Sequence, residues 1–298
     1  MRAGVIRNPR SHAYRRGRAP ADPPDALIAT PSSPEELLAD LERFWREGVD
    51  LLVIDGGDGT VREVLSALSS AYAVPPLLAV LPSGKTNILA LDLALPRGWT
   101  AAEAARAAGR GRMAVRAPLE VRNASGAKQG FVFGAAGFVS AISRSQGLHA
   151  AGVFHEGVVA LGVVAAVGSL MVGGRGSTLG EGEHLTLRID EGEAQSGLRL
   201  ATLATTLERL PFGMRPFGPP RPGLKLLDVD APPKRLAAAL GRLVRGDGDA
   251  WLAARGYRRR TARRIDLALT GPYVLDGETY PAGEVTLTEG PKLRFVIP

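Results

Sequence analysis

Leu51-Leu52-Val53-Ile54-Asp55-Gly56-Gly57-Asp58-Gly59-Thr60-Val61 is the stretch that decides the fold. Leu51 to Ile54 is a short, wholly apolar run, as in a strand buried on both faces. From Val61 onward, Val61, Val64, Leu65 and Leu68 recur at helical spacing. Between the two lies a turn of glycine and aspartate. Gly56, Gly57 and Gly59 let backbone N–H groups approach an anion closely. The helix that follows adds its positive N-terminal end. Asp58, beside such an anion, can hold Mg²⁺ directly or through water. The same residues also describe an ordinary βα turn, in which Gly and Asp are common.

The flanking sequence repeats the pattern. Ala3 to Ile6 reads as a strand ending in the turn Arg7-Asn8-Pro9-Arg10-Ser11, with an exposed loop over Arg15 to Pro24. Ser33-Pro34-Glu35-Glu36 is a helix start with a Ser cap, Pro at the first position and Glu completing the box. Leu37, Leu38, Leu41, Phe44 and Trp45 form its apolar face, and Gly48 stops it. Leu77 to Leu81 is a further strand, followed by Pro82-Ser83-Gly84-Lys85-Thr86-Asn87 and a helix to about Leu93. Thr100 and Glu103 make another capping box. Strands alternating with helices imply a parallel sheet with ligand loops at the strands' C-terminal ends.

Gly84-Lys85-Thr86 looks like the end of a P-loop. That motif needs a glycine five positions before Gly84, where Ala79 stands inside the strand, so a P-loop is rejected. What remains is a second glycine turn beside the first, from which Lys85 can reach a phosphate.

After about Pro118 the texture becomes mostly β. Leu119–Arg122, Phe131–Gly134, Leu185–Ile189, Leu198–Thr206, Ile265–Leu269 and Val285–Thr288 read as strands, with helical insertions near Glu156–Val172 and Lys234–Arg245. The division expected is an α/β nucleotide-binding domain with a parallel sheet over residues 1–118 and a mostly β, sandwich-like domain over 119–298, its last strands being candidates to return to the first domain. Phe212 to Gly223, rich in Pro and Gly, reads as a loop over a site or at a domain junction. Gly173-Gly174-Arg175-Gly176 reads as another loop. Asp276-Gly277-Glu278 follows a short apolar run. Its two carboxylates can supply a general base, while Asp-Gly is also a common hairpin turn.

The bulk properties narrow the chemistry. With 298 residues, 45% hydrophobic and 5% aromatic, the chain can build real cores from Ala, Leu and Val. It has no cysteine, which excludes disulfides, thiolate metal sites and cysteine nucleophiles. His12, His149, His155 and His184 show no metal-ligand spacing. An excess of 37 Lys and Arg over 30 Asp and Glu gives a formal charge of +7, which favours anionic partners. Arg255, Arg258, Arg259, Arg260, Arg263 and Arg264 form a dense basic cluster, readable as a lipid head-group contact or as a solvated strand edge. No nucleic-acid module or stacking array accompanies it, so nucleic acid is not expected as a partner. No secretory signal is seen, and the apolar stretch Val158–Val172 is short for a spanning helix.

The ordered set of turns resembles the diacylglycerol kinase catalytic-domain family of lipid kinases. That family has an early Asn-Pro turn, then Gly-Gly-Asp-Gly-Thr, then Pro-x-Gly-Thr-x-Asn-Asp, and late an Asp-Gly-Glu. Here these are Asn8-Pro9, Gly56 to Thr60, Pro82 to Ile88, and Asp276 to Glu278. Leu226-Leu227-Asp228-Val229 resembles a further stretch, after the family's mid-domain Asp-Gly. The resemblance implies transfer of the γ-phosphoryl group of ATP to a lipid hydroxyl, with Mg²⁺, at the cytoplasmic, inner face of a membrane to which the protein binds peripherally. By resemblance Asn8, Gly56, Gly57, Asp58, Gly59, Thr60, Gly84, Lys85, Thr86 and Asn87 hold the nucleotide, with Asp58 near the metal. Asp276 accepts the hydroxyl proton, and Glu278 orients metal or water. The chain departs from the pattern at four points. After Asn8-Pro9 the usual Ser-Gly is absent and Arg10-Ser11-His12 follows. Lys85 stands for Thr, Ile88 stands for Asp, and Pro222 stands for the Asp of a family metal site before Gly223. Two other readings compete: an NAD kinase, which shares the glycine–aspartate turn, and a catalytically weak nucleotide- or lipid-binding protein.

Overall fold

The computed structural model describes residues 1–17, 21–137, 139 and 182–298. The helix expected over Glu156–Val172, the loop at Gly173–Gly176, His149 and His155 lie outside them. The chain divides into two compact units, Met1–Pro118 with Pro291–Pro298, and Leu119–Gly290.

The first unit is built on a six-stranded sheet in the order β2-β1-β3-β4-β17-β5. Strands β1 (Ala3–Arg7), β2 (Leu27–Ala29), β3 (Leu51–Gly56) and β4 (Leu77–Pro82) run parallel. β17 (Leu293–Val296), from the end of the chain, lies parallel to β4 and antiparallel to β5 (Met113–Arg116). β3 sits at the centre and every residue in it is buried, which is why Leu51 to Ile54 is apolar without alternation. Helix α2 (Pro34–Arg46) buries Leu37, Leu41 and Phe44. Trp45, expected on that face, is exposed, because it falls one position past the buried stripe. The Ser33 hydroxyl accepts the Glu36 N–H at 3.2 Å, while the Glu36 carboxylate accepts from Ser32 rather than from Ser33. Helix α3 (Asp58–Ala71) buries Val61, Val64, Leu65 and Leu68, and α5 (Ala101–Gly109) an alanine face, Ala101, Ala104 and Ala107. The capping box of α5 forms as the sequence implies, Thr100 and Glu103 bonding reciprocally.

Among the described residues, the second unit is built on an eleven-stranded antiparallel sheet. β6 (Leu119–Asn123), β8 (Val132–Ala135), β9 (Glu183–Ile189), β10 (Gln195–Thr205), β13 (Arg264–Leu269) and β16 (Gly283–Glu289) match expected strands. β7 (Gly126–Gly130), β11 (Leu224–Asp230), β12 (Tyr257–Ala262) and the hairpin β14 (Tyr273–Leu275) and β15 (Glu278–Tyr280) complete it. The two faces of β10 and β11 serve two cores. Ala204, Leu224 and Leu226 join one with Phe133, Leu267 and Leu287. Leu203, Leu227 and Val229 join the other, covered by Ala239 and Leu243 of the helix Leu236–Arg245, here α6. Alternation with period two is what lets one strand pair feed both cores.

Most of the basic cluster is engaged within this unit. Arg258 lies opposite Asp228 in the β11–β12 register and pairs with both Asp228 and Asp230. Arg259 pairs with Asp249 and Arg264 with Asp266, and the Arg255 guanidinium lies 4.0 Å from the Trp251 ring centroid. Arg260 and Arg263 are exposed. Among the described residues, no helix is long and apolar enough to cross a membrane.

Candidate functional site

Three loops at the C-terminal ends of β1, β3 and β4 meet in the first unit. Asp55, the last apolar-run neighbour on β3, is buried and ties them together. Its carboxylate accepts from Arg7 Nε at 3.0 Å, from the Ser83 hydroxyl at 2.6 Å and from the Tyr14 hydroxyl. Tyr14 sits on α1 (His12–Arg15), a one-turn helix between the expected turn Arg7–Ser11 and the expected loop from Arg15, which it overlaps by one residue. Burial, with Asp55 as acceptor, pushes the Tyr14 phenol up to about 12. Burial works against the Arg7 charge, but Asp22 and Asp55 outweigh it and hold Arg7 above its ordinary range. The Asn8 N–H donates to the Asp55 carbonyl at 2.9 Å, and the Asn8 side chain donates to the Thr60 hydroxyl at 3.1 Å. The first loop is thereby fastened to the glycine turn.

The second and third loops pack backbone on backbone. A Cβ at Gly84 would lie 2.5 Å from the Cα of Gly57, and one at Gly57 would lie 3.1 Å from the Cα of Gly84. A Cβ at Gly56 would fall 2.4 Å from the Thr60 hydroxyl oxygen. These glycines are needed for close approach, since no side chain fits between the turns.

Asp58 and Asn87 hold the third loop in shape. The two Asp58 oxygens accept the N–H groups of Asn87, at 3.0 Å, and of Ile88, at 2.7 Å. Asp58 thus caps α4 (Ile88–Asp92) from another helix. Burial pushes the Asp58 carboxyl above its ordinary value, against the opposing effect of these N–H groups. Asn87 is left-handed, φ 53°, and its amide closes on the backbone of Gly84, accepting at 2.7 Å and donating at 2.9 Å. Ile88, at the position where the family has Asp, is buried in the core beneath the turn. Thr86 is half-buried and Lys85 exposed.

The loops border an open cavity of about 300 Å³ whose wall includes Ser11, Arg15, Gly57, Gly59, Thr60 and Lys85. The first N–H groups of α3 have no acceptor within their own helix. The Ser11 hydroxyl is buried and, among the described residues, has no hydrogen-bond partner. A cavity with two cations and a helix N-terminus, and with the Ser11 hydroxyl buried in its wall, suits a phosphate group. Ser11 is a residue the sequence pattern did not single out. A second cavity of about 470 Å³ adjoins the first, shares Asn8, Gly59 and Thr60 with it, and is walled by Pro9, Pro31 and Leu37 among others.

For Mg²⁺ the fit is partial. Both oxygens of Asp58 already accept backbone N–H groups, and among the described residues no three His, Asp or Glu side chains cluster as a metal site. Mg²⁺ is commonly held by one carboxylate together with the nucleotide's own phosphates and water, and only that mode suits these residues.

Asp276 and Glu278 belong to the second unit. Asp276-Gly277 forms the two-residue turn of the β14–β15 hairpin, with φ 47° and 86°, the primed type that suits strand twist. The hairpin reading and the carboxylate reading are therefore compatible. The Asp276 side chain points back to β8 and accepts the N–H groups of Phe131 at 3.0 Å and Val132 at 2.8 Å. Gly130 permits this, since a Cβ there would meet an Asp276 oxygen at 2.6 Å. The Phe131 and Val132 N–H groups fix the Asp276 carboxylate in orientation. Glu278 is exposed.

Residues 26–116 match the family model of the diacylglycerol kinase catalytic domain. The family resemblance therefore stands for the segment that carries both glycine turns. Among solved structures, a diacylglycerol kinase from Bacillus anthracis str. Sterne is 16% identical with a TM-score of 0.64, covering 100% of this chain and 97% of that one. An NAD kinase from Archaeoglobus fulgidus, solved in complex with ATP, is 13% identical with a TM-score of 0.50, covering 99% of this chain and 93% of that one. At such identities the likeness is one of fold. No match was found among curated proteins.

Proposed function

We propose that the protein is an ATP-dependent lipid kinase, transferring the γ-phosphoryl group to a hydroxyl of a lipid such as diacylglycerol or a sphingoid or ceramide-like lipid. The observation that carries this is the Gly57–Gly84 contact beside a cationic cavity with an unmatched Ser11 hydroxyl. The phosphates lie against Gly57, Gly59, Gly84 and the α3 N-terminus, with Ser11, Arg15 and Lys85 as donors. The adjoining cavity takes the nucleoside. Thr60, Asn8, Asn87 and Asp58 position these loops. Mg²⁺, when bound with the nucleotide, adds charge neutralisation at the phosphates.

In the transfer, the lipid hydroxyl oxygen bonds to the γ-phosphorus as the bond to the β-phosphate oxygen breaks, and ADP leaves. The hydroxyl proton passes to Asp276, already oriented by Phe131 and Val132, and Glu278 orients the attacking group through water. Phosphoryl transfer asks chiefly for positioning and charge neutralisation, which agrees with how few groups here are placed to do chemistry. The lipid would be met at the inner membrane face by peripheral contact.

The test is incubation of pure protein with labelled ATP, Mg²⁺ and, separately, diacylglycerol, ceramide or total membrane lipid, and NAD. Label in a lipid is the expected result. A second reading, NAD kinase, is favoured by the fold shared with the Archaeoglobus fulgidus enzyme, and label in NAD alone would replace the first reading with it. Binding of ATP without label in any acceptor would leave a nucleotide-binding protein.

A further inference from the structure

Lys225 is buried at the start of β11. Its ammonium donates to the carbonyl oxygens of Arg221 at 2.9 Å, Gly223 at 2.9 Å and Thr206 at 3.3 Å. A lysine ammonium has three donors, and among the described residues three backbone carbonyls, from the end of β10 and from the turn before β11, accept from it. Gly223 is left-handed, φ 89°, which turns its carbonyl inward. Convergent carbonyl oxygens around a buried positive charge are the donor set that proteins offer to hard cations. A buried charge is tolerated only when it is matched in this way.

The family resemblance implies a metal site at this turn, through an Asp preceding the glycine. The residues present do not fit a metal. Pro222 offers no side-chain oxygen, and the centre towards which the carbonyls point is taken by the Lys225 nitrogen. We infer that Lys225 is a built-in cation, which closes the turn over residues 221–225 onto the end of β10 so that this part of the fold forms without a metal ion.

The turn has a route to the proposed base. Thr205, beside Thr206, donates its hydroxyl to the Phe131 carbonyl at 2.7 Å, and the Phe131 N–H holds the Asp276 carboxylate. Lys225 is thus a positioning residue for Asp276, a consequence that rests on the lipid-kinase reading. The built-in cation itself does not.

The test is thermal unfolding, which requires no activity. Lys225→Ala removes three methylenes beyond Cβ and the ammonium, leaving room for propylammonium. We expect the variant to unfold roughly 5–10 °C below the parent. Millimolar propylammonium should restore part of the loss, whereas tetramethylammonium, equal in charge but without N–H donors, should not. The parent should unfold at the same temperature before and after dialysis against a chelator. A variant as stable as the parent, equal response to the two ammonium ions, or a parent that chelation destabilises would each overturn the inference. Should Lys225→Ala fail to fold, the chelation result on the parent decides alone. In the transfer assay, the same variant should lose kcat with KM for ATP unchanged. A variant rescued in stability by propylammonium but without this kcat loss would retain the built-in cation and remove only its link to Asp276.

Discussion

Gly57 and Gly84 touch through their backbones, and this contact joins the turn after β3 to the turn after β4. A Cβ at Gly84 would stand 2.5 Å from the Gly57 Cα, inside any real contact, whereas a Cβ at Gly57 would stand 3.1 Å from the Gly84 Cα. Neither position has a positive φ, so the requirement for glycine is proximity, not backbone conformation. The two turns form one surface because these two glycines put no side chain between their backbones, while Asp58 of the first turn holds the N–H groups of Asn87 and Ile88 in the second.

The asymmetry of that contact orders two substitutions. Gly84→Ala should lower stability by about 1–3 kcal/mol through overpacking and weaken ATP binding at least tenfold, as the turns are forced apart. Gly57→Ala should do less on both counts, because a shift of a few tenths of an ångström relieves it. Urea denaturation and calorimetric ATP titration measure the two effects. Equal effects, or none, would show that the turns are not packed as described.

Ser11 separates binding from stability. Its hydroxyl is buried without a partner among the described residues, so Ser11→Ala removes nothing the fold relies on. The unfolding temperature should hold or rise slightly. If the cavity takes a phosphate, the Kd for ATP should rise about 10- to 150-fold, the worth of one hydrogen bond to a charged group. A fall in stability with no change in Kd would place the hydroxyl's role in the fold instead.

Asp58 gives a dependence on pH whose sign follows from its shift. Burial raises its folded-state pKa above the ordinary 3.8. Between the unfolded and folded values the folded protein binds more protons, so stability falls as pH rises through that window. Asp58→Asn does not titrate and should lack this slope, while losing about 1–2 kcal/mol because an amide cannot accept both the Asn87 and Ile88 N–H groups. Denaturation of both proteins between pH 4 and 7 provides the comparison. Parallel pH profiles would contradict the assigned shift.

Much of the first unit was legible because its signals are local. Leu51–Ile54 is apolar on both faces, the caps at Ser33 and Thr100 sit next to what they cap, and the glycine turn lies between two unmistakable periods. What escaped depends on partners far along the chain. The one-turn helix at His12–Arg15 is held by Tyr14 on Asp55, a bond across 41 positions. The last strands were candidates to return to the first domain, but nothing in Leu293–Val296 names β4, more than two hundred residues earlier, as the partner of β17. β12 was hidden by its arginines, of which Arg258 answers Asp228 and Asp230 on β11 and Arg259 answers Asp249. β7, Gly126–Gly130, is polar and rests on pairing with β6 rather than on β propensity. In the site, the glycines were readable from their spacing. The Ser11 hydroxyl was not, since being without a partner is a property of the folded neighbourhood.

Asp276 offers the sharpest test of the proposed chemistry. Its left-handed φ of 47° and the Asp-Gly turn both accommodate asparagine, so Asp276→Asn should keep the hairpin. The amide oxygen can still accept from Val132, although the amide nitrogen cannot replace the second acceptor facing Phe131. A modest stability loss of about 1 kcal/mol is expected. If Asp276 takes the lipid hydroxyl proton, kcat should fall about 10²- to 10⁴-fold. In the proposed site Asp276 has no part in holding the nucleotide, so the Kd for ATP should stay as it was. Loss of ATP binding together with activity would mean that Asp276 supports the nucleotide, and unchanged kcat would remove it from the reaction. Only a fall in kcat at constant Kd supports the assigned role, and measuring both in one preparation separates these outcomes.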